Sequence, residues 1–131
     1  RIRGRARLAA GRAEQARQLL DRVVTELDER GASDDRLAPG ARLAYVRALS
    51  ATGAFEEAVA AAERLLDGLA AVPDGHWLRG VCRREHARAL RGAGRTADAA
   101  AEARRALAIL EASLGPAHPH TREAAALLRA Q

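Results

Sequence analysis

The chain has 131 residues, 48% of them hydrophobic but only 2% aromatic, so any core must be built from Ala, Leu and Val. Ala and Leu favour helix and β-branched residues are few, which makes an all-α protein the expected class. The formal net charge is +5 and all 22 basic residues are arginine, a balance that admits acidic partners without requiring one.

The single cysteine, Cys82, excludes an internal disulfide. No apolar run approaches the roughly 18–20 residues of a membrane span, so no membrane partner is expected and a cytoplasmic location is. The missing Lys, Asn and Met read as the imprint of a high-GC genome, which inflates Arg, Ala and Gly. The chain starts at Arg1 inside a helical pattern, which predicts a piece of a longer protein.

In chain order, residues 1–10 read as the end of a helix that stops at Gly11, where a glycine would take the left-handed conformation of a tight turn. A second helix is expected over about Arg12–Glu29, with Leu19, Leu20, Val23, Val24 and Leu27 as its apolar stripe. Arg30–Arg36 is polar and reads as a loop. A third helix carries Pro39 in its first turn, then Leu43, Val46 and Leu49, and ends at Gly53. The fourth starts near Phe55, with Glu56 and Glu57 at the favourable end of its dipole, and runs to about Ala71. Pro73-Asp74-Gly75 breaks the chain, with Asp74 as the expected N-cap of a fifth helix over about Gly75–Arg91. Thr96 is the expected cap of a sixth helix that reaches Leu114, and Pro119 opens a seventh.

The glycines mark a repeat. Gly11 to Gly53 is 42 residues and Gly53 to Gly94 is 41. Five residues after each stands an alanine (Ala16, Ala58, Ala99); nine after come Leu20, Ala62 and Ala103; twelve after come Val23, Leu65 and Ala106. Small residues at fixed places in a helix-turn-helix let helices approach closely, and a repeat of this length signals an α-solenoid. Overpacking at Ala58 or Ala99 is expected to cost roughly 1–3 kcal/mol.

Ala87, Leu90, Gly94, Ala99 and Ala106 together resemble the tetratricopeptide repeat. ALAILEASLGPAHPHT, at 106–121, is similar to the longer repeats of kinesin light chain, which also occur in bacterial signalling proteins. The resemblance implies one domain over 1–131: repeat one at about 1–30, repeat two at about 38–72, repeat three at about 74–115 and a partial or capping repeat at about 119–131. Tyr45 and His86 stand where the family usually has leucine, and Arg3 and Arg7 fill slots that should be apolar.

The family forms a right-handed superhelix whose concave face, lined by the first helix of each hairpin, holds extended peptides. Projected onto this chain, that face carries Arg5, Arg47 and Arg88, with Arg1, Leu43 and Arg84, and with Leu8, Ser50 and Arg91. Arginine makes bidentate bonds to carboxylate and phosphate, so an acidic or phosphorylated segment is the suited ligand. Arg84 and Arg88 match the cationic slots of the family's carboxylate-clamp members, but Arg5 and Ala44 replace the clamp's asparagines, so chaperone binding does not carry over. The alternative reading is that an arginine-rich composition puts arginine on any solvated face.

No catalytic constellation, cofactor motif or metal-spaced Cys/His set is present, so no enzyme is expected. His118 and His120 flank Pro119 in a turn and lack further ligands. Cys82 reads as a packing thiol, although Arg83 and Arg84 beside it could lower its pKa. Trp77 is expected to anchor the start of its helix against the preceding one. The leading function is a protein-interaction module of a bacterial signalling or regulatory protein. The alternatives are electrostatic contact with nucleic acid, opposed by the scarcity of stacking aromatics and the 17 interleaved acids, and a structural or self-associating element.

Overall fold

In a computed structural model the chain is described over residues 2–30 and 38–129, with side chains described from Ala9 onward. These residues form six helices and no strand: α1 (Ile2–Glu29), α2 (Ala38–Ala51), α3 (Phe55–Asp67), α4 (Trp77–Gly92), α5 (Thr96–Leu114) and α6 (Pro119–Arg129). The all-α expectation holds. The expected count of seven does not, because α1 runs unbroken through Gly11.

The three hinge glycines separate on their backbone. Gly53 and Gly94 adopt φ of 81° and 83°, whereas Gly11 is not among the glycines of positive φ. Around Gly53 the amide of Ala54 bonds the carbonyl of Leu49 at 2.9 Å, and around Gly94 that of Arg95 bonds Leu90 at 2.9 Å. This six-to-one bond across a left-handed glycine is the Schellman closure, and it satisfies carbonyls that the helix end would otherwise orphan. Gly11 is flanked by Ala9, Ala10, Arg12, Ala13 and Glu14, all good helix formers. One glycine inside such a run costs only about 1 kcal/mol, less than the hydrogen bonds lost by stopping.

Each helix packs on its neighbours in sequence, and the further pairings are α2 with α4 and α4 with α6; α1 packs on α2 alone among the described residues. The core follows the chain as a string of small clusters. Leu49, Ala58, Val59, Ala89, Leu90 and Ala99 form one; Val46, Ala62, Leu65, Leu69 and Cys82 the next; Val81, Ala106, Leu110 and Ala124 a third. Ala58, Ala62, Ala99, Ala103 and Ala106 are at most 1% exposed, whereas Leu19 and Val23 of the stripe expected after Gly11 are 61% and 42% exposed. At Gly80 a Cβ would stand 2.7 Å from Leu110 Cγ, so α4 and α5 meet closely enough there that only glycine fits.

Other boundaries moved for local reasons. Helix α3 ends at Asp67, not Ala71, and its continuation turns so that Leu69 is buried. The buried Arg79 guanidinium donates to the carbonyls of Leu69 (2.5 Å) and Val72 (2.8 Å), taking up acceptors the helix would have used. The N-cap of α4 is His76 rather than Asp74. Thr96 does not cap α5; it is the first helical residue, after Arg95.

The glycines therefore predict opposite responses to one substitution. Gly94→Ala forces a Cβ into the left-handed region and should destabilise by roughly 1–2 kcal/mol. Gly11→Ala, with nothing within 4 Å of the new Cβ, should stabilise by about 0.5–1 kcal/mol. Urea denaturation of the two variants checks both signs; destabilisation by Gly11→Ala would contradict the continuous α1.

Candidate interaction face

Helices α2, α4 and α6 touch in succession and share one face. At its centre lies Glu85, a carboxylate 2% exposed on α4. Arg88 Nη1 donates to both its oxygens at 2.8 and 3.0 Å. Arg47 Nε approaches it from α2 at 3.4 Å, and Arg84 Nε lies 3.8 Å away. Arg84 is itself 1% exposed, and its Nη1 reaches α6, donating to His120 Nδ1 at 2.9 Å and pairing with Glu123 Oε2 at the same distance. Burial lowers the Arg84 pKa, with Arg88 and Arg47 adding to the effect and Glu85 and Glu123 opposing it. The network thus sets three guanidiniums against two carboxylates, one of them buried.

This corrects the picture of an open basic groove. Arg84 is buried and spent on internal contacts, because α6 covers it. Leu43 packs against two core clusters and contributes structure. Arg47 and Arg88 keep side chains 47% and 43% exposed, and Arg91 is exposed one turn further along α4. Ser50 is half-buried, and its Oγ has no hydrogen-bond partner. Arg47, Ser50, Ala51, Phe55, Glu85 and Arg88 line a depression of about 260 Å³. The side chain of Arg5 lies outside the described residues.

A second polar cluster joins α3, α4 and α5. His86 Nδ1 is 2.5 Å from Glu102 Oε2, and Arg83 Nη1 donates to Glu102 Oε1 at 2.9 Å. His86 Nε2 stands 3.8 Å from Glu63. Burial opposes ionisation of Glu102, but His86 and Arg83 outweigh it and hold this carboxyl below its ordinary range. Glu102 is the residue the sequence reading missed. Its signal was His86 in an apolar slot, since a buried polar group requires a partner.

The remaining histidines act at helix starts. His76 Nδ1 accepts from the amide of Leu78 at 3.1 Å, and His118 Nδ1 accepts from that of His120 at 3.1 Å. The two caps are 42 residues apart. Trp77 is 41% exposed and does not anchor α4 against α3 as expected. Its ring lies parallel to that of His120, centroids 6.3 Å apart. Cys82 is fully buried and its thiol is pushed up to about 12 by burial, which outweighs the neighbouring arginines; it is a packing group. On α2, the Tyr45 hydroxyl donates to Asp21 of α1 at 2.8 Å, so this departure from leucine ties the two helices together.

Among the described residues no group of His, Cys, Asp and Glu could hold a metal ion, and no helix is long and apolar enough to cross a membrane. No family model matches the chain, and neither does any curated protein or solved structure.

The Glu102 cluster carries a pH dependence of known sign. The folded-state pKa lies below the ordinary 4.5, so the unfolded chain takes up the proton first as pH falls. The stabilisation is therefore present above pH 4.5 and drains away through the folded-state pKa. Glu102→Gln should lower stability at pH 7 and flatten the acid limb, as read by denaturation midpoints between about pH 7 and 3. An acid limb of unchanged slope would rule the cluster out as its source.

Proposed function

We propose that the chain is a short α-solenoid of the tetratricopeptide type, a protein-interaction module that holds an extended acidic or phosphorylated segment of a partner along α2, α4 and α6. We read it as the repeat region of a cytoplasmic bacterial signalling or regulatory protein. The turns at Gly53 and Gly94, alike in φ and in hydrogen bonding and 41 residues apart, support the repeat. So does the order of packing, in which every second helix from α2 onward touches the next.

The observation that carries the ligand class is the pair Arg47 and Arg88. Each is half-exposed beside a depression and meets Glu85 through one nitrogen, Arg88 Nη1 by hydrogen bonds and Arg47 Nε as an ion pair at 3.4 Å. Their other N–H donors are open to a carboxylate or phosphate, Ser50 Oγ adds an uncommitted hydroxyl, and Phe55 and Ala51 offer an apolar wall. Glu85 holds the two guanidiniums in place without matching the positive charge around it.

A second reading is self-association through α1. Leu19 is 61% exposed and Val23 42%, one turn apart on a helix whose main packing among the described residues is against α2.

The test is a titration of acidic, phosphorylated and neutral peptides, with a DNA duplex alongside, against wild type and Arg47→Ala/Arg88→Ala. Arg84 is left intact because removing a buried charge would confound binding with folding. Losing charge-assisted bonds of about 1.5–3 kcal/mol should weaken acidic peptides by roughly 10–100-fold and leave neutral ones unchanged. Equal binding by both proteins would sink the groove reading. Salt-sensitive duplex binding without peptide preference would favour nucleic acid, and association abolished by Leu19→Ser/Val23→Ser would favour the second reading.

A further inference from the structure

Four rings form a continuous row where α4 and α6 begin. His76 and Trp77 are 5.6 Å apart, Trp77 and His120 6.3 Å, and His120 and His118 5.1 Å, all centroid to centroid. Three of the four are imidazoles, and each uses Nδ1 as a hydrogen-bond acceptor. His76 accepts from the Leu78 amide and His118 from the His120 amide. His120 faces Arg84 Nη1 at 2.9 Å. An amide N–H and a guanidinium can only donate, so each Nδ1 must carry a lone pair and each proton must sit on Nε2. Neutral imidazole is therefore a condition of this geometry at all three positions.

The surroundings of His120 oppose its protonation. His120 faces Arg84 on α4 and His118 on its own helix, and Arg47 on α2 adds further positive charge. Glu123 is the one carboxylate acting on it in the opposite sense, and it is already bonded to Arg84. Asp74, two residues before His76, is turned toward Arg79 at 3.8 Å. Burial, then Arg84 and His118, hold His120 below the ordinary imidazole range.

We propose that His120 is an acid-released latch between α4 and α6: while neutral it accepts from Arg84 Nη1 and stacks on Trp77, and its protonation loosens the start of α6 and uncovers the Arg84 guanidinium. Proton uptake at His120 turns an Arg–imidazole hydrogen bond into a repulsion between two cations. Arg84, whose Nε is buried without a hydrogen-bond partner, gains water as α6 leaves, and the shared face gains a cation. The latch is read from internal contacts alone, so it stands or falls separately from the peptide reading.

The test compares wild type with His76→Asn/His118→Asn/His120→Gln. Asparagine and glutamine offer an acceptor oxygen that does not titrate. Hydrogen–deuterium exchange of α6 peptides, corrected for the intrinsic pH dependence and referenced to α5, is followed from pH 7.5 downward with Trp77 emission. In wild type, α6 protection should fall at least about tenfold as pH drops below the ordinary imidazole range, while α5 stays protected. The triple variant should keep α6 protected through that range. His120→Gln alone, which retains both native caps, should do the same and serves if the triple variant folds poorly. Unchanged α6 protection in wild type down to pH 5, or the same loss in wild type and variants, would overturn the latch.

Discussion

The structure depends on how closely neighbouring helices are allowed to approach. With few aromatics and a core of Ala, Leu and Val, the area buried per residue is small. Burial must come from backbones drawn near each other rather than from large side chains filling space. Ala58, Ala62, Ala99, Ala103 and Ala106 make that approach possible between helices, and Gly80 makes it possible where α4 meets Leu110. The left-handed turns at Gly53 and Gly94 aim each returning helix onto its predecessor. Among the described residues the buried clusters follow one another along the chain, each built from two to four successive helices or their immediate neighbours.

Charge enters this frame in two ways. Some arginines are structural: Arg79 closes the end of the α3 region through backbone carbonyls, and Arg84 is enclosed between α4 and α6 with Glu123 and His120. Others, Arg47 and Arg88, keep half of their surface in water while sharing the buried Glu85. A buried carboxylate beneath exposed guanidiniums orders them at a fixed spacing, which limits the entropy a bound anion would have to overcome. The polar contacts of His86 with Glu102 and of Tyr45 with Asp21 serve in the same manner as ties between helices. Sites that depart from an apolar pattern are the ones that bridge elements.

Local patterns were legible in the sequence and long-range pairings were not. The spacing of Ala58 and Ala99 from their glycines anticipated their burial, because that register is a property of one helix and one turn. Gly11 matched the same spacing yet lies inside α1, since a glycine permits a left-handed turn without compelling one. Arg84 was read as a groove cation because helical periodicity fixes the face on which a side chain lies. Whether another helix covers that face is a separate matter, decided here by α6, 36 residues further along. His76 escaped notice as a cap because Asp74 is the commoner N-cap type, although the His118-Pro119 junction repeats the arrangement one period later.

The amino-acid sequence by itself determined the helical class, two of the three glycine turns, the burial of the alanines that follow Gly53 and Gly94 and the placing of Arg47, Arg84 and Arg88 on helices. All of these follow from interactions within a few residues, where propensity, periodicity and turn chemistry act. Only the tertiary structure decided that α1 is one helix, that Glu85 gathers Arg47, Arg84 and Arg88, and that three histidines meet as hydrogen-bond acceptors at the starts of α4 and α6. Those outcomes depend on which helices lie against one another. The free energy of a charged or titratable side chain is set by the solvent its neighbours exclude and the partners they supply, and neither is written in its own stretch of chain.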